Sequence, residues 1–561
     1  MTSDKKSAAL IADIFVKEGL EHIVISPGSR NAPIIIAFAG NQKIRSLSVF
    51  DERSAAFFAL GIAQQTRKTV AIACTSGTAA LNYAPAIAEA YYQKAPLLVL
   101  TADRPPEWID QGDGQTIRQK EVYGNYIRAS YEIAEDLSGE KEFDTTVGVI
   151  SEAIRRTIYP APGPVHINLP FSEPLYNQVP GHAWNLQLPD HIPAKSVPPD
   201  EKTERFIDVW NVSSKKLLIA GMMHPDDELS ALLREICDDP SVALLSETTS
   251  NLSDCPDLPC IDKIIHTIGP EEAARFRPDL LVTFGGPVIS KMVKAFLRKN
   301  KPSQHWHIDP VDYEMDTYLC LTGGIAMDPA EFFRITAPLI RKTDSGFGKL
   351  WQERMARSES RHNTFLSRCE FSDLKVFEEI LKNVPERSFL QLGNSTPVRY
   401  AQLFPPLRKR FHYSNRGTSG IDGAVSTAAG AAWATGDLTT LITGDLGFLY
   451  DSNALLNDHL SEKLRIIVIN NSGGGIFRFI PGPDTTPHLE RFFETRHKWR
   501  AEYIAQAAGI EYMYACNLKE TTEGLKALFR DPLNRPAILE IKTPAVKNAR
   551  ILKSYFKYLT E

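Results

Sequence analysis

The amino-acid sequence predicts an α/β protein made of three doubly wound parallel-sheet domains. Short β-branched apolar runs alternate with helix-spaced apolar segments along the chain, the pattern of parallel strands joined by crossover helices. Runs such as Leu97-Leu98-Val99-Leu100 and Ile466-Ile467-Val468-Ile469 have the length of buried strands. The 561 residues correspond to about three or four domains at roughly 100–200 residues each.

In the first unit, residues 1–181, strands are expected at 22–25, 69–73, 97–100 and 165–169, with helices at 7–17, 53–65 and 79–92. A Pro-rich, weakly periodic stretch over 180–199 reads as a linker. The second unit, 182–345, carries strands at 217–220, 242–245 and 280–284, with a helix at 228–236. A charged helical segment at 350–365 opens the third unit, 346–561, whose strands fall near 389–392, 441–443, 466–469 and 537–541.

Composition removes several classes of function. With 63 Lys+Arg against 68 Asp+Glu the formal net charge is -5, which argues against non-specific nucleic-acid binding through a clustered basic surface. It leaves room for a small basic pocket. No apolar run approaches the roughly 18 residues of a membrane span, so stable membrane insertion is not expected. Residues 1–6 are polar and lead into an amphipathic stretch, so no signal peptide is expected. Seven cysteines, an odd number without a Cys-x-x-Cys pair, fit buried reduced thiols in a cytoplasmic protein.

Ligands of open α/β sheets sit outside the carboxyl ends of the strands, and polar or glycine-rich segments recur there. Ser26-Pro27-Gly28-Ser29-Arg30, Thr75-Ser76-Gly77-Thr78 and Thr101-Ala102-Asp103-Arg104 follow strands of the first unit. Gly393-Asn394-Ser395, Gly444-Asp445 and Asn470-Asn471-Ser472-Gly473-Gly474-Gly475 follow strands of the last. One such loop is a turn; six in two units define a cleft. The most specific signal is Gly444-Asp445 with Asn471 placed 26 residues after the aspartate. Mg²⁺ takes a near-octahedral shell of oxygens, commonly one or two carboxylates plus phosphate. Asp445 offers a carboxylate oxygen, Asn471 an amide oxygen, and Gly473 a backbone carbonyl that the missing side chain lets approach. A diphosphate and water would complete the shell. Residues 473–475 are also expected to open a helix whose free N–H groups suit an anion.

Gly444-Asp445 with Asn470-Asn471 resembles the thiamin-diphosphate signature, with Leu446 where many such enzymes carry Gly. Ile25-Ser26-Pro27-Gly28-Ser29-Arg30, Asp51-Glu52-Arg53-Ser54, Thr75-Ser76-Gly77-Thr78-Ala79 and Thr101-Ala102-Asp103-Arg104-Pro105-Pro106-Glu107 resemble one family closely. So do Ser414-Asn415-Arg416-Gly417 and Gly420-Ile421-Asp422-Gly423. It is the MenD family, the 2-succinyl-5-enolpyruvyl-6-hydroxy-3-cyclohexene-1-carboxylate synthases of menaquinone biosynthesis. The resemblance runs essentially end to end, dense in the first and third units and thinner in the middle one.

The resemblance implies three domains of the thiamin-diphosphate-enzyme type and a transferase requiring thiamin diphosphate and Mg²⁺ (or Mn²⁺). Its reaction would decarboxylate 2-oxoglutarate and add the resulting succinyl-semialdehyde carbanion in a 1,4 sense to isochorismate. The first domain would grip the aminopyrimidine and the last the diphosphate. Glu52 matches the glutamate that hydrogen-bonds the pyrimidine ring; outside that context it reads as a helix N-terminal acid. Ile421 matches the apolar residue that props the cofactor, and Asn394, Gly417 and Gly444 match further cofactor-binding positions. Asp445, Asn471 and Gly473 match the metal-holding set. Both substrates are dicarboxylates, which calls for several cations, and arginine binds carboxylate bidentately. The matching positions are Arg30, Arg104, Lys291, Arg399 and Arg416, with Ser395, Gln115 and Asn394 as neutral partners and Ser29 as a further substrate-binding position. Ile476 and Phe477 would wall the isochorismate ring. Gly114 and Met292 depart from the pattern of some relatives, which have Asn and a second base there. The resemblance also places the two cofactor-gripping domains of one site on different chains, so a homodimer or homotetramer is expected.

In the middle unit, His305-x-His307 would present both rings to one face of a strand, as metal ligands do. No further Cys or His cluster accompanies them in the sequence, so a structural role is expected. The unit has no Gly-x-Gly-x-x-Gly loop, and neither flavin nor nicotinamide is expected there. Two other readings stay open. One is a different thiamin-diphosphate decarboxylase or carboligase acting on pyruvate, against which the arginine set argues. The other is a decayed fold serving as a binding subunit, against which Glu52 and Asp445 argue.

Overall fold

A computed structural model describes residues 1–135, 137, 139–188, 200–407, 410–530 and 532–561. Residues 189–199 of the expected linker lie outside the described residues. Three all-parallel sheets carry the architecture. The first runs, in spatial order, Arg45–Ser48, His22–Ile25, Val70–Cys74, Leu97–Asp103, Val165–Pro170 and Ala129–Glu132. The last runs Phe411–Tyr413, Phe389–Leu392, Thr439–Gly444, Leu464–Asn470, Ala537–Lys542 and Glu511–Ala515. Numbered within each sheet, both follow the order 2-1-3-4-6-5, so the two outer units repeat one topology. The middle sheet, Val242–Ser246, Lys216–Ala220, Leu280–Phe284, Gln304–Ile308 and Gly323–Ile325, follows 2-1-3-4-5. In all three the strand order reverses between the first and third strands, where such sheets bind ligands.

Every central strand expected from the sequence forms, because helices cover both faces and each residue is buried. The strands that periodicity did not reveal are short or polar. Arg45–Ser48, Ala129–Glu132 and Glu511–Ala515 are edge strands with exposed and half-exposed residues. Gln304–Ile308, rich in histidine, is buried by its neighbours rather than by its own hydrophobicity. The expected helix over 79–92 is two, Thr78–Asn82 and Ala84–Gln93. Pro85 at the break lacks the N–H that a continuous helix needs.

The outer units share one core. Phe57, Phe58 and Leu60 pack in the same buried cluster as Val425, Ala429, Leu441 and Ile466. Helix Glu52–Thr66 lies directly on helix Ala424–Thr435, and glycine makes the approach possible. A Cβ on Gly61 would stand 2.1 Å from the Thr427 carbonyl oxygen, and one on Gly430 would stand 2.0 Å from that of Phe58. Lys94 Nζ reaches both Asp309 oxygens at 2.7 Å, joining the first unit to the middle one. The Asn251 side chain exchanges hydrogen bonds with the His412 backbone, tying the middle unit to the edge of the last sheet.

Candidate active site

The metal-ligand candidates converge as the spacing implied. Strand Thr439–Gly444 ends at Gly444, the N-cap of helix Asp445–Tyr450. The neighbouring strand Leu464–Asn470 delivers Asn471 beside it. Asp445 Oδ2 accepts the Gly473 N–H at 2.9 Å and stands 3.1 Å from His497 Nε2. Asn471 is 5% exposed, and its Oδ1 is a buried acceptor with no hydrogen-bond partner. Burying such an oxygen unpaired costs about 1–3 kcal/mol, so a hard cation at that position fits the residues present. The Gly473 carbonyl accepts the Gly475 N–H and keeps a second lone pair.

The expected helix at 473–475 does not form. Gly473 has φ +142° and Ser472 φ +69°, outside the helical region, and only a 3-10 turn over Gly475–Arg478 follows. The N–H groups expected to face an anion are already given, Gly473 to Asp445 and Gly474 to the Glu494 carbonyl. A Cβ at Gly473 would meet that carbonyl oxygen at 2.3 Å, so the chain must be glycine there.

The second cluster is cationic. Ser395 N-caps helix Thr396–Ala401 with φ +72°, a strained position for a non-glycine residue of the kind found at functional sites. Arg399 on that helix and Arg416 from the loop after Phe411–Tyr413 are neighbours. Both guanidinium pKa values fall, chiefly through burial, and for Arg416 also through Arg399. Arg416 is 8% exposed; its Nη1 donates to Asn394 Oδ1 at 2.9 Å, while its Nε is buried without a partner. Asn394 Nδ2 in turn donates to the carbonyls of Asn415 and Gly420 at 2.6 Å each. Asn394 thus fastens the Arg416 loop. Gly417 sits against the first unit, its N–H 2.7 Å from Glu89 Oε1. A buried and a half-buried guanidinium of like charge favour an anion between or beside them.

Carboxylates that the sequence did not single out surround this pair. Buried Glu89 also accepts from Thr418 N and Oγ1, and burial raises its pKa. Glu247 accepts from Ile289 N and Ser290 N at 2.6 and 2.7 Å, and burial pushes its pKa up to about 7. Asp262 accepts from Ser290 Oγ, and its pKa is raised by burial and lowered by Ser290 and Arg399. Together they hold the turn before helix Lys291–Lys299. Lys291 and Met292 then line a cavity of about 580 Å³ with Arg399, Phe479, Ile480 and Phe556. Phe479 and Ile480 supply the apolar wall there. Ile476 and Phe477 lie on the 3-10 turn, half-exposed, with the Phe477 ring 5.7 Å from Phe493.

The first unit forms a separate group within one chain. Glu52 opens its helix behind Asp51, which caps Ser54 N at 3.0 Å. Its pKa is raised mainly by burial, and it lies close enough to buried Cys74 and Tyr83 to raise theirs in part. Arg30, 1% exposed, donates Nη1 to the Phe171 carbonyl at 2.8 Å and leaves Nε buried and unpaired. Ser29 and Gln115 are exposed, and Arg104 Nη2 donates to the Gly114 carbonyl at 3.3 Å. Among the described residues no hydrogen bond or ion pair joins these loops to the Arg399–Arg416 pair. Ile421, 38% exposed, is likewise open to solvent in one chain.

His305 Nε2 and His307 Nδ1 both meet the Thr283 hydroxyl, at 2.9 and 2.8 Å. Cys320 Sγ lies 3.8 Å from His305 Nδ1, with Asp316 Oδ1 at 3.9 Å. Burial lowers the His305 pKa to about 4.

Twin 2-1-3-4-6-5 units, the last of them with Gly-Asp and Asn-Asn at the ends of two adjacent strands, define a thiamin-diphosphate enzyme. Family models agree: residues 5–122 match the thiamine pyrophosphate enzyme N-terminal TPP binding domain, 183–392 the middle domain, and 393–541 the C-terminal TPP binding domain. The chain is 42% identical to the 2-succinyl-5-enolpyruvyl-6-hydroxy-3-cyclohexene-1-carboxylate synthase of Flavobacterium johnsoniae, over 99% of both chains. Identity to the synthase of Flavobacterium psychrophilum is 43%, over 99% of this chain and 98% of that one. Against the synthase of Porphyromonas gingivalis it is 39%, over 100% and 98%. The chain belongs to the 2-succinyl-5-enolpyruvyl-6-hydroxy-3-cyclohexene-1-carboxylate synthase (MenD) family.

Proposed function

We propose that the protein decarboxylates 2-oxoglutarate and adds the resulting succinyl-semialdehyde carbanion 1,4 to isochorismate, in menaquinone biosynthesis. The pair of half-buried Arg399 and buried Arg416 carries this reading. Two partly desolvated guanidiniums suit dicarboxylates, whereas pyruvate offers one carboxylate. Arg30, Arg104 and Lys291 extend the cationic set, with Ser29, Gln115 and Ser395 as hydrogen-bonding partners. Ile476 and Phe477 are proposed apolar walls for the ring, continuing the surface begun by Phe479 and Ile480.

Asp445, Asn471 and Gly473 would hold Mg²⁺ or Mn²⁺ through three oxygens, and the orphaned Asn471 Oδ1 supports that assignment. Bound thiamin diphosphate supplies the electron sink for loss of CO₂. Glu52 would hold a proton at the aminopyrimidine ring nitrogen, a task favoured by its raised pKa. Asn394, Gly417, Ile421 and Gly444 would shape the cofactor cradle. The exposure of Ile421 and the separation of the Glu52 group from the Arg399 group support sites completed between chains of a homodimer or homotetramer. A cytoplasmic location is supported by seven free cysteines, and no described helix is long and apolar enough to cross a membrane. Domain limits of 1–181, 182–345 and 346–561 are supported by the three sheets, whose strands span 22–170, 216–325 and 389–542.

CO₂ release measured separately from 2-oxoglutarate and pyruvate tests the assignment, followed by product analysis with isochorismate. Faster turnover of pyruvate would overturn it.

A further inference from the structure

The amide of Asn471 is gripped from behind by a carboxylate outside every motif. Asp373 is the first residue of helix Asp373–Asn383 and is fully buried. Its Oδ2 accepts Asn471 Nδ2 at 3.1 Å. Its Oδ1 accepts Thr543 Oγ1 at 2.6 Å, and its own N–H donates to Asn548 Oδ1 at 3.0 Å. Asn548 Nδ2 closes the ring on Thr543 Oγ1 at 3.2 Å, and Thr543 N donates to the Asn470 carbonyl at 3.0 Å.

We propose that Asp373 is a positioning residue for metal binding, which fixes the Asn471 amide with its oxygen towards the cation. The proposal rests on the reading of Asp445, Asn471 and Gly473 as the metal-holding set. An asparagine amide presents nearly isosteric oxygen and nitrogen ends, and only the oxygen ligates a hard cation. Both Asp373 oxygens act as acceptors, Oδ1 from Thr543 and Oδ2 towards Asn471. Behind Asn471 the carboxylate therefore admits the NH₂ end and repels the oxygen. The flipped amide would set two acceptors face to face and turn N–H bonds towards the metal position. Thr543 and Asn548 keep Asp373 from turning away, so the C-terminal helix Ala545–Thr560, which bears Asn548, belongs to the same device. A purely structural acid at a helix start would support stability alone; this geometry also selects the ligating face of Asn471.

The test titrates Mg²⁺ at fixed thiamin diphosphate on the full chain, reading bound thiamin diphosphate by calorimetry, with melting of each protein in EDTA as the fold control. Loss of an outer partner of a metal ligand typically costs 10–100-fold in metal affinity, so Asp373→Ala should need about 10–100-fold more Mg²⁺ for half-saturation. Asp373→Asn should fall between, because its amide oxygen still accepts from Asn471 while its NH₂ turns to Thr543. A folded Asp373→Ala protein within about twofold of wild type would overturn the proposal. Should Asp373→Ala fail to fold, Thr543→Val loosens the same carboxylate; a raised Mg²⁺ requirement supports the proposal and an unchanged one overturns it. Asp445→Asn separates the two readings. If that variant keeps Mg²⁺-dependent binding, the metal assignment fails and the proposal with it. If it loses that binding while folded Asp373→Ala is unaffected, the proposal alone fails.

Discussion

Gly430→Ala tests how the outer units are held together. The added Cβ would stand 2.0 Å from the Phe58 carbonyl oxygen, and contacts under 3.0 Å are essentially never seen, so the helices must part by about 1 Å (3.0 − 2.0). Backbone meets side-chain carbon here, and no rotamer change relieves the contact. Overpacking of this kind costs about 1–3 kcal/mol, while alanine in place of glycine returns roughly 1 kcal/mol of helix propensity. Because the opposing atom is a fixed carbonyl, the upper end applies and the net loss is about 2 kcal/mol. The same shift moves helix Glu52–Thr66, which carries Glu52 at its tip. A misplacement of about 1 Å can cost 10²-fold in rate, so kcat/KM should fall by roughly that factor. Thermal melting and steady-state assay of Gly430→Ala measure both effects. Gly61→Ala, clashing with the Thr427 carbonyl at the same crossing, should be less than additive with it, since parted helices accommodate the second Cβ. A Gly430→Ala protein as stable and active as wild type would refute the close-packed crossing.

Glu52→Gln should lower kcat by about 10²–10⁴-fold and leave thiamin diphosphate binding largely intact by calorimetry; full activity in that variant would remove the proposed proton-holding role. Glu247 imposes a pH dependence on stability. Burial raises its pKa from 4.5 to about 7 in the fold, so the folded state binds the extra proton. Its contribution is full below pH 4.5 and is lost as the pH rises through about 7, a change of about 3 kcal/mol. Melting curves across that window should show a steeper decline for wild type than for Glu247→Gln, and parallel declines would contradict the assignment.

The three-unit α/β plan was legible because most central strands are buried on both faces and so are rich in apolar residues, as in Val70–Cys74, Leu97–Asp103 and Leu464–Asn470. The edge strands Arg45–Ser48 and Glu511–Ala515 were not, since a half-exposed strand needs no such composition. The loop proposed to hold the metal was legible from Asp445 and Asn471, whose types and spacing suit that chemistry. Its backbone was not: the helix expected at 473–475 gave way to a 3-10 turn once Gly473 closed on Glu494. Arg399 and Arg416 could be named as cations, but their closeness arises only when helix Thr396–Ala401 meets the loop after Phe411–Tyr413.

Motifs and periodicity, being local, pointed to the loops proposed to carry the chemistry and to the strand ends at which they sit. Glu89, Glu247, Asp262 and Asp373 carry no local signature, because a carboxylate near a helix or turn is ordinary in any sequence. Their partners lie far away along the chain, Glu89 on Gly417 and Asp373 on Asn471 and Thr543. Only the packing of one unit on another removes water from those groups and fixes what each must bond to, and that packing sets them around the candidate site.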